Sequence, residues 1–194
     1  MMLAKTFMKS KTIDKWLFLK KFFQNPRDVG SIIPSSNSLT QKMMEHVPWN
    51  HVHTLVELGA GTGVFTQAIY DLIRPDAKVA VFEKEEEMRE LLKREFDGFH
   101  MFTNALELKD SLSSIGVAHA DCIVSGLPFA NFSRSDREKI IRQVCETLCE
   151  GGLFITFQYS LQMKTMLQAA FNEVSISLVP WNIPPAFVYI CKKS

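Results

Sequence analysis

Three glycines at alternate positions, Gly59, Gly61 and Gly63, follow the apolar stretch 53–58 and precede a helix-like pattern. Glycines in a strand-to-helix turn let the backbone take up φ > 0 and approach a bound group closely. In a parallel α/β sheet such a turn lies at the carboxyl end of a strand, where ligands bind. Two acids flank it: Glu57 directly before the turn, and Glu83 at the end of the next strand, twenty residues beyond Gly63. An acid in Glu83's position can accept hydrogen bonds from both hydroxyls of a ribose. The spelling narrows the ligand. A G-x-G-x-x-G dinucleotide fingerprint would need glycine at 64 or 66, where Val64 and Thr66 stand. A phosphate-cradling loop would need a lysine that is absent. Two further sets of polar and aromatic residues stand at the ends of later strands. One is Ser125-Gly126-Leu127-Pro128-Phe129 after the fourth strand, and the other is Tyr159 at the end of the fifth.

These residues need a scaffold that carries strand ends to one place. Helical periodicity predicts a helix over 10–24, stopped by Asn25-Pro26, and a second near 37–47 with Ser35, Ser36 and Asn37 as N-cap candidates. Beyond these the order is regular. Strands are predicted over 53–58, 78–83, 99–103, 121–125 and 153–158. Helices are predicted over 63–73, 85–96, 107–115, 134–149 and 161–171, with Gly151-Gly152 ending the fourth of these. Two final strands, 174–179 and 187–191, have no helix between them. Alternation of strand and helix predicts a mainly parallel sheet covered on both faces, closed by an antiparallel hairpin.

Composition narrows the class. A hydrophobic fraction of 46% and a charged fraction of 22% are those of a globular protein. Charge is unevenly placed: residues 1–27 hold seven Lys/Arg against Asp14 alone, while the whole chain is only +1. A basic arm on a mildly acidic body suggests an anionic partner for the arm and disfavours a polyphosphate partner for the body. Cys122, Cys145, Cys149 and Cys191 match no zinc spacing, and no metal is expected; the thiols read as reduced. No apolar run reaches the length of a membrane-spanning helix, and lysines interrupt every candidate signal-peptide core.

"VELGAGTG" with Glu83 resembles the S-adenosylmethionine site of class I methyltransferases, over roughly residues 30–194. That resemblance implies a Rossmann-like, seven-stranded, mostly parallel α/β sheet. It also implies roles. Gly59, Ala60, Gly61 and Gly63 pass beneath the amino acid part of the cofactor, with Glu57 near its amine. Glu83 and Lys84 lie at the ribose, Asn104 and Ala105 at the adenine, and Ser125 at the methyl-transfer end. Residues 1–36 are then a basic amphipathic helix and lid segment, and 37–194 the cofactor-binding domain.

The acceptor divides two resemblances. "GLPF" is similar to the catalytic turn of rRNA adenine dimethyltransferases. Four separate stretches resemble bacterial phospholipid N-methyltransferases: "NPRDVGSIIPSS" (25–36), "SGLPF" (125–129), "FQYS" (157–160) and "NIPPAFVY" (182–189). This second resemblance is the more specific. It implies methylation of phosphatidylethanolamine by a cytoplasmic enzyme held peripherally on the inner face of an anionic membrane. Tyr159, Ser125 and Phe129 are the candidates for catalysis, with Tyr159 as amine-orienting group or proton acceptor. Arg27, Ser35, Ser36, Leu127, Pro128 and Trp181 are candidates for holding the lipid. His46, His51, His53 and His119 rank below Tyr159 as proton acceptors. A non-catalytic cofactor-binding homologue is the third class.

Overall fold

The computed structural model describes residues 37–194. The expected helix over 10–24, and Arg27, Ser35 and Ser36, lie outside the described residues. Seven strands form one sheet: β1 (Thr54–Leu58), β2 (Lys78–Phe82), β3 (His100–Phe102), β4 (Ala120–Ser125), β5 (Leu148–Gln158), β6 (Glu173–Val179) and β7 (Ala186–Lys192). Their order is β3-β2-β1-β4-β5-β7-β6. The first five strands pair in parallel, and β7 lies antiparallel between β5 and β6. This is the expected α/β sheet with its antiparallel closure.

Period-two alternation divides the core between the two faces. Val56, Leu58, Ile123 and Phe154 face one side, under α4 (Leu108–Ser114), α5 (Arg134–Thr147) and α6 (Lys164–Ala170). Leu55, Val79, Cys122 and Val124 face the other, under α1 (Asn37–Met44), α2 (Val64–Leu72) and α3 (Glu86–Glu95). The helices carry local reasons to form. In α3, Glu86 and Glu87 occupy the first turn and Lys93 and Arg94 the last, each sign placed against the opposite end of the helix dipole. In α5 the Ser133 hydroxyl oxygen caps the N-terminus by accepting from the Asp136 N–H at 3.1 Å.

One boundary departs from expectation. Gly151-Gly152 does not end α5, which stops at Thr147. Strand β5 begins at Leu148, and its pairing with β4 shifts register between Ala120 and Cys122. The glycines form the bulge that absorbs this shift. A Cβ on Gly152 would lie 2.9 Å from the Cys149 carbonyl oxygen. The extra residues are looped out beside the chain end, where Gly151 N–H donates to the Lys193 carbonyl at 2.9 Å.

Candidate cofactor and acceptor site

Strand order reverses between β1 and β4, and the crevice outside the carboxyl ends of these two strands is where such a sheet binds ligands. The glycine turn leaves β1 here and Gly126 leaves β4. The two turns touch. Gly126 N–H donates to the Leu58 carbonyl at 2.8 Å, and Gly59 N–H to the Phe82 carbonyl at 2.8 Å. A Cβ on Gly126 would lie 2.8 Å from the Gly59 carbonyl oxygen, and one on Gly59 would lie 2.9 Å from Leu127 Cδ2. Gly59 and Gly63 have φ of 77° and 80°, in the left-handed region that side chains disfavour. Part of the glycine requirement is thus internal: these residues let two backbones meet. Gly63 also begins α2 without a side-chain cap, so the first N–H groups of that helix are left for another acceptor.

Glu57 and Glu83 behave differently. Glu83 is 8% exposed, and both of its carboxylate oxygens accept backbone N–H groups: Gly61 at 2.7 Å and Glu85 at 2.9 Å. This fixes the carboxylate beside the turn, with lone pairs left over for a diol. Desolvation raises its pKa, opposed by those same N–H groups. Glu57 is fully buried, and neither of its oxygens has a hydrogen-bond partner. Desolvation pushes it up to about 8, while the nearby Thr66 hydroxyl and N–H offset part of the rise without closing a full hydrogen bond. An unpartnered buried acid beside a crevice is an acceptor for a cation. The ammonium group of S-adenosylmethionine fits Glu57, and its ribose fits Glu83.

Glu57 sets a pH dependence. The folded chain keeps this proton up to about pH 8, whereas a solvated carboxyl releases it near 4.5. Across that window the unfolded chain binds fewer protons, so stability falls as pH rises, by at most about 1.4 kcal/mol per pH unit. The melting temperature of ligand-free protein is expected to drop between about pH 5 and pH 8, and Glu57→Gln to flatten that drop. Binding of S-adenosylhomocysteine at pH 7 is expected to expel the proton. Calorimetric heats that vary with the ionisation enthalpy of the buffer would show this. Identical heats in all buffers would remove Glu57 from the amine.

The other expected residues are placed as follows. Asn104 follows β3, and its side chain serves its own turn: Oδ1 accepts from Leu106 N–H at 3.0 Å, and Nδ2 donates to Glu107 Oε1 at 2.9 Å. Ala105 is half-buried beside it, and Lys84 is exposed after β2. Ser125 is fully buried, and its Oγ accepts from Leu127 N–H at 3.2 Å. Leu127 is half-buried and Pro128 exposed. Phe129 is fully buried in the core beneath this loop, against Phe132, so its ring serves packing in this conformation. Tyr159 directly follows β5, half-buried, with its hydroxyl hydrogen-bonded to Asn182. Trp181 is 84% exposed in the β6–β7 turn. His51, His53 and His119 precede β1 and β4, at the sheet end opposite the glycine turn, and His46 lies between α1 and β1.

Five contributors were not singled out as site residues from sequence. Phe65, in the first turn of α2, lies near Gly126 and begins a row of rings. Phe65 and Phe157 are 5.8 Å apart, and Phe157 and Tyr159 5.7 Å, edge to face. Gln158 is 4% exposed, and its Nε2 donates to the Leu127 carbonyl at 3.1 Å. Thr66 faces Glu57, and Asn182 holds Tyr159. The i, i+2 spacing of Phe157 and Tyr159 on one strand face was a readable signal. A buried glutamine at a strand end offered none.

Comparisons with known proteins agree with this fold. The model of the methyltransferase small domain family matches residues 35–178. An ornithine lipid N-methyltransferase from Singulisphaera acidiphila is 34% identical over 187 residues, covering 92% of this chain and 96% of that one. Two solved structures share the fold at low identity. The precorrin-6y C5,15-methyltransferase of Geobacter metallireducens has a TM-score of 0.66 at 14% identity, over 86% of this chain and 93% of that one. The N-methyltransferase NodS of Bradyrhizobium japonicum has a TM-score of 0.62 at 13% identity, over 73% and 86%. A family match across most of its length and a relative 34% identical over nearly the whole chain show that the chain belongs to the methyltransferase small domain family and is a class I methyltransferase that uses S-adenosylmethionine.

Proposed function

We propose that the protein methylates the amine of a membrane lipid headgroup, with phosphatidylethanolamine as acceptor. One observation carries this reading: the 34% identity to an ornithine lipid N-methyltransferase over nearly the full length of both chains. An amino lipid is the chemistry shared by that relative and by the phospholipid enzymes that the four sequence stretches resemble.

The site's own residues suit an amine. S-adenosylmethionine, when bound, supplies an electrophilic methyl group for in-line displacement. An alkyl amine has a pKa of about 10 in water and arrives protonated, without a lone pair. The groups at this end of β5 are uncharged: Ser125, Gln158, Tyr159 and Asn182. Neutral, partly desolvated surroundings disfavour an ammonium ion, so the proton leaves to water before attack. Burial raises the pKa of the Tyr159 phenol. It therefore stays protonated at neutral pH and orients the nitrogen through its oxygen, rather than taking the proton. Gln158 on the Leu127 carbonyl, and Thr156 Oγ1 on the Ser125 carbonyl at 3.2 Å, hold the acceptor loop in register with β5.

Lifting a two-chain lipid out of a bilayer costs about 0.8 kcal/mol for every CH₂. The enzyme must therefore work at the membrane surface. The net positive segment 1–27, outside the described residues, suits an anionic inner leaflet at about 1 kcal/mol per Lys or Arg near the surface. Arg27, Ser35 and Ser36 are the proposed contacts to the headgroup phosphate. No helix among the described residues is long and apolar enough to cross a membrane.

Methyl-labelled S-adenosylmethionine, supplied with vesicles of phosphatidylethanolamine, with vesicles of ornithine lipid, and with undermethylated rRNA, tests the reading. Label is expected in phosphatidylethanolamine. Tyr159→Phe is expected to lower kcat about tenfold with S-adenosylhomocysteine binding intact. Label in ornithine lipid alone would replace the acceptor within its class, and label in RNA alone would overturn the lipid reading.

A further inference from the structure

The turn joining β6 and β7 stands at the same end of the sheet as the acceptor loop. In register, Gln158 at the end of β5 pairs with Phe187, and Val179 with Ala186. Residues 180–185 therefore project beside Tyr159, beyond the carboxyl end of β5. Within this turn Trp181 is 84% exposed and Ile183 81%. Leu178 below it, and Leu161 just past β5, are 54% and 46% exposed. From 174 to 191 there is no charged residue and no histidine. The first charges along the hairpin, Glu173 and Lys192, pair across it at its opposite end, 3.9 Å apart. Exposed apolar tips of this kind mark interaction sites.

The tip is tied to the site. Asn182 is 3% exposed, and its Nδ2 donates to the Pro184 carbonyl at 2.7 Å. Its hydrogen bond to the Tyr159 hydroxyl joins the turn to the acceptor end of β5. Pro180, Pro184 and Pro185 restrict the remaining backbone. Two large apolar side chains are thus held outward on a convex, uncharged tip, while the polar residue between them turns inward.

We infer that this tip is a membrane wedge: Trp181 and Ile183 enter the boundary between headgroups and acyl chains, and so set the depth at which Tyr159 meets a lipid amine. This deepens the lipid-acceptor reading and rests on it. The tip's chemistry selects a bilayer over a protein partner. A stable protein interface needs about 800 Å² per partner, and a convex tip of two side chains supplies far less. An indole ring, apolar with one N–H donor, suits the membrane interface. A tip without charge enters that layer without desolvating an ion.

The test uses full-length protein with Trp16→Phe and Trp49→Phe, which leaves Trp181 as the only tryptophan. Vesicles contain phosphatidylethanolamine and phosphatidylglycerol, with bromine at chosen acyl depths. The expected result is a blue shift and quenching of Trp181, strongest for bromine close to the headgroup. Should the double variant fold poorly, the quenching lost between wild type and Trp181→Phe reads the same quantity. Ile183→Asp is expected to reduce methylation of vesicle phosphatidylethanolamine about tenfold. It is expected to leave methylation of a short-chain, monomeric phosphatidylethanolamine unchanged. Unquenched Trp181 on vesicles whose lipid is methylated would overturn the wedge and leave the lipid reading standing. Quenched Trp181 with no lipid methylated would support the wedge and sink the acceptor. Emission that responds to protein concentration but not to vesicles would assign the tip to a second copy of the chain, and overturn the wedge.

Discussion

Gly126→Ala is expected to destabilise the protein by about 1–3 kcal/mol and to weaken S-adenosylhomocysteine binding along with it. The added Cβ would sit 2.8 Å from the Gly59 carbonyl oxygen, with the Phe65 ring 3.6 Å away. A backbone oxygen in a hydrogen-bonded turn cannot swing aside as the end of a side chain can. Either β1 and β4 part at their carboxyl ends or the glycine turn moves, and both displace cofactor-side atoms. Gly126 does not have a positive φ, so the cost is contact rather than backbone strain. That separates it from Gly59→Ala, which combines a φ of 77° with a Cβ 2.9 Å from the Leu127 side chain. Adding Leu127→Ala should recover part of the Gly59→Ala loss and none of the Gly126→Ala loss. Urea melts of the four variants give the comparison through shifts of midpoint at constant slope. A Gly126→Ala protein as stable as wild type would mean that the two turns do not lie this close in solution.

Glu83→Ala is expected to weaken S-adenosylhomocysteine binding at least about tenfold, or about 1.4 kcal/mol. Two effects combine. The diol loses its acceptor, and the Gly61 and Glu85 N–H groups lose theirs, so the glycine turn loosens before any ligand arrives. Hydrogen bonds to a charged group are each worth about 1.5–3 kcal/mol, so the free protein should also melt lower. Glu83→Gln separates the two. An amide oxygen can still accept from one N–H, but the amide nitrogen then faces the other donor, so the loss should lie between Ala and wild type. Calorimetric titration of the three proteins measures it. Unchanged affinity in Glu83→Ala, with the melting temperature lowered, would reduce Glu83 to a brace for the turn.

The sheet and the class of cofactor were already readable in the residues, as was the strand end that carries the glycine turn. Those signals are local. Strand alternation has a period of two and helix faces a period of 3.6, and a strand-turn-helix passage that needs left-handed backbone writes its glycines close together, here at every second position. Thus Gly59, Gly61, Gly63, Glu57 and Glu83 were legible together. What each does was not, because burial and partners come from residues far away in the chain. Only the tertiary structure leaves Glu57 without a partner, places the Gly126 backbone against Gly59 and turns Gly151-Gly152 from a helix end into a bulge. The same holds for Asn104, a polar residue after a strand that serves equally as a ligand contact or as its own turn's cap. The choice is a matter of side-chain direction, which composition does not encode. Phe129 and Trp181 show the limit most plainly. Both are aromatic residues beside the acceptor end, yet one is sealed in the core and the other stands 84% exposed at a hairpin tip. The hydrophobic effect rewards area removed from water without regard to residue identity, so it is the packing of the sheet that decides which ring is inside and which is left in water.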